Sequence, residues 1–342
     1  AALRQRSPGA KVLGCEIVDI IHGTCSKIRL RLTLDETARQ AGIAEHVILK
    51  GGFEPHSRDL CYMHEREVRS YRDVLPEIPL PVPDCYFADY DPQCCQGIII
   101  MEDLTTRDIT FCHALQPQSF EQVARRLSVL ARFHAATWGS AELEPGGKWS
   151  DLVDFLDTVD RFFNQQTATE NWQRFLQSPR GVAVSARFQD REWMIEAWQR
   201  MKEFAKQQTY CLLHGDIHLG NLYVERDGTP GFFDPLASRG PGMLEVCYHI
   251  SASVDSADRP RWEGALVQHY LEALRRHGAE PPTFHDAMQQ YGIFLLYGHF
   301  IWMTTESEYQ TELVNTANAA RVSAAMLDHR TFDLLRCVEH AS

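Results

Sequence analysis

His214-Gly215-Asp216-Ile217-His218-Leu219-Gly220-Asn221 is the stretch on which the reading of this chain turns. An apolar run, Tyr210–Leu213, leads into it, and another, Leu222–Val224, leads out. The octapeptide is therefore a loop held at both ends by short strands. Asp216 and Asn221 are separated by four residues. Thirteen residues past Asn221, beyond a hairpin signalled by Asp227-Gly228, Asp234 follows Gly231-Phe232-Phe233. An Asp that can take a hydroxyl proton and two oxygen donors that can hold a divalent cation are what phosphoryl transfer asks of a protein, because that reaction needs positioning and charge neutralisation.

The Asp216-to-Asn221 interval is that of a kinase catalytic loop, with Asp216 as base and Asn221 and Asp234 as Mg²⁺ ligands. Upstream features fall where such a site needs them. Lys50 ends the apolar run Val47-Ile48-Leu49, the place of a lysine that pairs with the α- and β-phosphates of ATP. Glu67 lies 17 residues further on, in a segment that reads as a helix, and can orient Lys50. The turn His22–Ser26 can cover phosphates, although it holds only Gly23, so backbone amides and the hydroxyls of Thr24 and Ser26 must do that work. Glu102 and Leu104 flank a hinge, residues 102–104, whose backbone would hydrogen-bond adenine.

Taken singly, each of these has a plainer reading. Polar loop residues cap turns, a strand-end lysine sits at the surface, and a charged helix face carrying both Glu65 and Glu67 is solvated. Their joint spacing outweighs those readings. His214 and His218 suggest a metal hydrolase, but zinc sites need further His or carboxylate ligands in context. Loop orientation is the better role for both histidines. His134 reads as a packing residue.

Working outward, residues 11–21, 27–34 and 46–50 read as consecutive antiparallel strands. Residues 60–74 read as a helix, ended by Pro76, Pro79, Pro81 and Pro83. Residues 86–89 and 97–101 add two more strands. Beyond Leu104 the pattern is helical, beginning with a capping box at Ser119 and Gln122. The expected fold is α+β and two-lobed. An N-lobe, 1–101, holds a five-stranded antiparallel sheet plus one helix and binds nucleotide. The hinge is 102–104. A mainly helical C-lobe, 105–342, carries the catalytic loop and a substrate-binding helical insert at 140–208. Phe155, Phe162, Phe163, Trp172, Phe175 and Trp193 read as the core of that insert.

Composition narrows the functions. The chain has 342 residues, 34 Lys+Arg against 46 Asp+Glu, and a formal net charge of −12. That balance disfavours a duplex nucleic-acid binder, which needs a basic stripe. Glu306, Glu308 and Glu312 offer negative charge to a cationic acceptor, but an exposed acidic face is the simpler reading. No run approaches the roughly 20 apolar residues of a membrane span, and the first eleven residues lack a signal-peptide core. The ten cysteines are scattered without a CxxC pair, so they read as reduced thiols, many of them in the core, of a cytoplasmic protein.

The chain resembles the aminoglycoside-phosphotransferase and choline-kinase superfamily, in particular its ecdysteroid-kinase-like branch. The likeness rests on Glu67-Val68-Arg69-Ser70-Tyr71, Ile99–Leu104, Leu130–Ala135 with Trp138, the loop His214–Asn221, and Phe233-Asp234 with Arg239-Gly240-Pro241 downstream. It spans residues 12–330. It implies a protein-kinase-like fold and transfer of the ATP γ-phosphoryl group to a hydroxyl of a small molecule: an antibiotic, an amino alcohol or a steroid- or terpenoid-like alcohol. ATP and Mg²⁺ would bind between the lobes of a monomer or homodimer. Two positions depart from the family pattern. Pro235 follows Asp234 where an aromatic is usual, and Glu245 stands where Asp is usual, at a position that braces the catalytic loop. A nucleotide-binding pseudokinase without turnover is the alternative, and the intact residue set argues against it. A protein kinase is disfavoured because no Ala-Pro-Glu-like segment follows Asp234.

Overall fold

The computed structural model describes residue 3, residues 8–23 and residues 25–338. β1 (Val12–Ile21), β2 (Ser26–Leu34), β3 (His46–Gly51), β4 (Cys85–Asp91) and β5 (Gln96–Glu102) form one antiparallel sheet in the order β1-β2-β3-β5-β4. Side chains alternate across its two faces. Val47 faces a core of Leu32, Leu34, Ala38, Ile43 and Tyr86. Lys50 points the other way, beside its cross-strand partners Lys27 and Ile99.

That second face is covered by α2 (Cys61–Arg69). His64, Glu67 and Val68 are its buried residues, at helical spacing. A Cβ on Gly97 would lie 3.0 Å from His64 Cβ and 3.2 Å from Val68 Cγ2, so only glycine lets the helix approach β5 this closely. The single helix expected over 60–74 is in fact two pieces, with a further turn ahead of them. A 3₁₀ turn (Pro55–Leu60) precedes α2 and a π-helical turn (Ser70–Val74) follows it. A further short helix, α1 (Glu36–Gln40), occupies what reads in sequence as a polar connection. Asp35 caps it by accepting from the Ala38 amide at 2.9 Å. Five residues are too few to show a 3.6-residue period.

Beyond the sheet come β6 (Ile109–Phe111), α3 (Phe120–Ala135), α4 (Phe155–Gln166), α5 (Thr169–Leu176), α6 (Pro179–Ala183) and α7 (Arg191–Lys206). Both halves of the Ser119–Gln122 capping box on α3 are formed. Then follow β7 (Tyr210–Leu213), β8 (Leu222–Glu225), β9 (Pro230–Phe232) and β10 (Ser238–Pro241). Five helices complete the chain: α8 (Gly242–Ser253), α9 (Arg259–Arg276), α10 (Phe284–Thr304), α11 (Glu312–Asp328) and α12 (Thr331–Cys337). Among the described residues no helix is long and apolar enough to cross a membrane. Aromatics of the insert pack as core: Phe163 stacks on Trp198 at 4.4 Å, and Phe155 meets Tyr297 edge-on at 5.0 Å. Phe162 and Trp193 are half-buried against Phe300 and Phe332.

The chain divides into two compact units, Ala1–Thr110 with Tyr223–Ala237, and Phe111–Leu222 with Ser238–Ser342. The segment around Asp234 thus clusters with the sheet. Phe232 donates its amide to Pro81 O at 2.8 Å, Ala237 donates to Ser70 Oγ at 2.8 Å, and Arg66 Nη2 donates to Leu236 O at 2.7 Å. The cysteines depart from the expectation of core thiols. Only Cys211 and Cys247 are buried, and Cys15, Cys94 and Cys337 are exposed; all ten are free thiols.

Candidate active site

In the first unit, Lys50 is the centre of a buried charge cluster. β3 delivers it to the face under α2, and Glu67, one helical turn from His64, meets its Nζ at 2.7 Å. Asp234 Oδ1 lies 2.8 Å from the same Nζ. Burial alone would lower the lysine's pKa, but the carboxylates of Asp234 and Glu67 outweigh it and hold the ammonium well above its usual range. For Asp234, burial is opposed by Lys27 and Lys50, and the carboxyl is held below the usual carboxylate range. Burial raises the carboxyl of Glu67. Asp234 adopts a left-handed backbone, φ 54°, immediately before Pro235, a conformation that Asp tolerates better than most residues. The contacts of Arg66 and Ser70 with residues 236 and 237 hold it there.

Lys27 escaped the sequence reading. Its Nζ lies 3.1 Å from Asp234 Oδ2 and 5.9 Å from the centre of the Phe233 ring. The signal was present only in the strand register, which places Lys27 directly opposite Lys50. Thr24 lies outside the described residues. The Ser26 hydroxyl donates to Glu54 Oε1 at 2.7 Å, and His22 Nδ1 meets the same oxygen at 2.6 Å. Cys25 Sγ sits 3.3 Å from His64 Nδ1, and burial pushes its thiol up to about 12. In the segment 102–104, Glu102 donates its amide to Asp84 O at 2.9 Å and Asp103 donates to His46 O at 3.3 Å. The Glu102 carboxylate accepts from Arg107 Nη1 at 3.3 Å, and Leu104 is buried.

In the second unit, β7 ends at Leu213 and the loop of residues 214–221 begins. Asn221 Nδ2 donates to both the carbonyl oxygen and the Oδ2 of Asp216, each at 3.0 Å. His218 Nε2 lies 3.5 Å from the same Oδ2, and His218 Nδ1 accepts from the Gly220 amide at 3.0 Å. The Asp216 carboxylate is thereby oriented while its side chain stays 31% exposed. His214 Nδ1 accepts from the Asp216 amide at 3.2 Å. Glu245, on α8, accepts from the amides of His214 and Gly215 at 3.2 and 2.6 Å. His134 Nε2 donates to Glu245 at 2.9 Å, and its Nδ1 meets Tyr270 Oη at 2.8 Å. One turn along α8, His249 Nδ1 donates to Ile217 O at 3.1 Å, a contact with no sequence signal.

Among the described residues no three His, Cys, Asp or Glu side chains group as a metal cage. Mg²⁺ is held by one or two hard oxygens together with substrate phosphates. In the first unit Asp234 is an ionised carboxylate. In the second, Asn221 commits its nitrogen to Asp216, leaving Oδ1 as its amide acceptor. Two of the acidic residues near the C-terminus are already paired: Glu306 takes Arg174 at 2.9 and 2.6 Å, and Glu312 takes Arg180; Glu308 is exposed.

An antiparallel five-stranded sheet with one covering helix, followed by a helical part, and a buried Lys–Glu–Asp cluster define a kinase-like phosphotransferase. A model of the ecdysteroid kinase-like family matches residues 24–280. The chain belongs to that family, and so to the small-molecule kinases. Similar solved structures share its fold. A Ralstonia eutropha protein described as a candidate aminoglycoside phosphotransferase is 14% identical, with a TM-score of 0.55, over 99% of this chain and 97% of its own. Amicoumacin kinase, in complex with AMP-PNP, Ca²⁺ and Ami, is 13% identical with a TM-score of 0.51 over 94% and 89%. Plasmodium vivax ethanolamine kinase is 9% identical with a TM-score of 0.50 over 93% and 83%. No curated protein matches the sequence.

Proposed function

We propose that the protein transfers the γ-phosphoryl group of ATP to a hydroxyl of a small molecule. The observation that carries this reading is Lys50 bracketed by Glu67 at 2.7 Å and Asp234 at 2.8 Å. A buried ammonium between two carboxylates is an expensive arrangement unless it serves a ligand. Lys50 pairs with the α- and β-phosphates, and Glu67 fixes its direction. Adenine lies against the hinge backbone, where the Glu102 and Asp103 amides are already used within the first unit.

Asp216 orients the acceptor hydroxyl and takes its proton as the oxygen–phosphorus bond forms. The bond from γ-phosphorus to the bridging oxygen breaks, and ADP leaves. Asp234 and the Asn221 amide oxygen are the residues that would offer oxygen ligands to magnesium, which would supply neutralisation of the phosphate charge. His218 and Asn221 keep the Asp216 carboxylate aimed, and Glu245 holds the start of the loop, with His214 turned inward on the Asp216 amide. Because Glu306 and Glu312 are satisfied by arginines, a cationic acceptor gains little from them. A neutral alcohol of the steroid or terpenoid kind fits that charge pattern better than an aminoglycoside.

The two carboxylates should separate binding from chemistry. Asp216→Asn is expected to retain Mg·ATP binding by calorimetry and lose turnover by roughly 10²–10⁴-fold. Asp234→Ala is expected to lose the magnesium-dependent part of nucleotide binding. An Asp216→Asn protein with wild-type turnover contradicts the base assignment.

A further inference from the structure

Lys27 is the cation to which the scheme above gives no task. It stands directly across the β2–β3 ladder from Lys50. Like charges opposed on neighbouring strands repel. Asp234 reconciles them, with Oδ1 on Lys50 at 2.8 Å and Oδ2 on Lys27 at 3.1 Å. One carboxylate thus serves two ammoniums. The lysines differ in what else they have. Lys50 is 6% exposed and keeps Glu67 at 2.7 Å. Lys27 is 33% exposed, and Asp234 is its ion-pair partner among the described residues.

A divalent cation on Asp234 draws the carboxylate's charge away from both lysines. Lys50 remains neutralised by Glu67, whereas Lys27 does not. The anion that arrives with the cation is the triphosphate. The neighbouring turn needs such help, since it has one glycine, Gly23, and its Ser26 hydroxyl is committed to Glu54. Charge-assisted contacts from a lysine substitute for the amide cradle that a glycine-rich loop provides. We infer that Lys27 is a second phosphate-binding lysine, whose ammonium exchanges Asp234 for the outer phosphates of the metal-bound nucleotide. The inference rests on the reading of Asp234 as a magnesium ligand.

The test is calorimetric titration of the full chain with Mg·ATP, Mg·ADP and adenosine, for the wild type, Lys27→Met and Lys27→Arg. Lys27→Met should weaken Mg·ATP at least tenfold and adenosine less than twofold, and Lys27→Arg should recover most of the loss. A lysine that only neutralises Asp234 gives the opposite result. Its removal relieves the carboxylate of a competing cation and leaves Mg·ATP affinity unchanged or tighter, which overturns the inference. Equal losses for adenosine and Mg·ATP also overturn it, because they report distortion of the whole site. A wild type that binds no Mg·ATP overturns the reading of the site and the inference with it. If wild type binds and Lys27→Met does not differ, the inference alone fails. Melting temperatures monitor folding, and Lys27→Gln replaces the Met variant if that one does not fold.

Discussion

At the scale of single residues, Glu245 carries more than its sequence position suggests. It accepts hydrogen bonds from two loop amides and from a fully buried histidine, so three donors depend on one carboxylate. Removing it leaves those donors buried and unsatisfied, at about 1–3 kcal/mol for each group that water cannot reach. Glu245→Ala should therefore unfold at markedly lower urea concentration than the wild type, and its residual activity should fall further than its Mg·ATP affinity. Glu245→Gln keeps an acceptor for the amides and should recover part of both. Equal stability of Glu245→Ala and wild type would show that the loop is held by other means. Spacing alone singles out Asp216 with Asn221 and Lys50 with Glu67 and Asp234, and each of these groups is in contact within its own unit. It does not single out Lys27, Glu54 and His249. Each acts through a contact across strands or helices, which depends on register and packing that one-dimensional spacing does not encode.

At the scale of elements, the strands of the sheet and the capped start of α3 were legible because their signals are local: alternation, turn residues, a side-chain cap. The division of the 55–74 segment into 3₁₀, α and π pieces was not, since pieces of five to nine residues are too short to show separate periods. The most hydrophobic helices hold two histidines that burial keeps neutral. His249 on α8 has its pKa lowered to about 3, by burial first and by Arg126 second. His299 on α10 is lowered to about 4 by burial. The unfolded chain takes up protons at these positions below its ordinary value of 6.5, while the folded chain refuses them until pH 3–4. Stability conferred by neutral histidines is therefore full above pH 6.5 and is lost as pH falls toward 4, at up to about 1.4 kcal/mol per pH unit for each group. Urea denaturation from pH 7 to 4.5 should show that slope. His299→Leu should make it shallower by roughly the contribution of one group. An unchanged slope would mean that His299 is already protonated in the folded chain.

At the scale of the whole molecule, fold and family follow from a few stretches spread over most of the chain, and the acceptor does not. In the proposed scheme, residues that would meet phosphate and metal are fixed by a shared reaction, whereas helices that would meet an alcohol answer only to its shape. The insert illustrates this: most of its aromatics are spent on packing, as with Phe163 on Trp198. The same economy applies to charge. A net charge of −12 looks like an invitation to cations, yet Glu306 and Glu312 are already matched by arginines. The central claim is phosphoryl transfer to an alcohol. The most direct measurement is ADP release from Mg·ATP across a panel of steroid and terpenoid alcohols, amino alcohols, sugars and aminoglycosides, with Asp216→Asn as blank and phosphorus NMR of the product. The account predicts acceptor-dependent ADP release that the blank lacks and a new phosphate monoester, found first among the neutral, bulky alcohols. ADP release that ignores the acceptor, or that persists in Asp216→Asn, would contradict it.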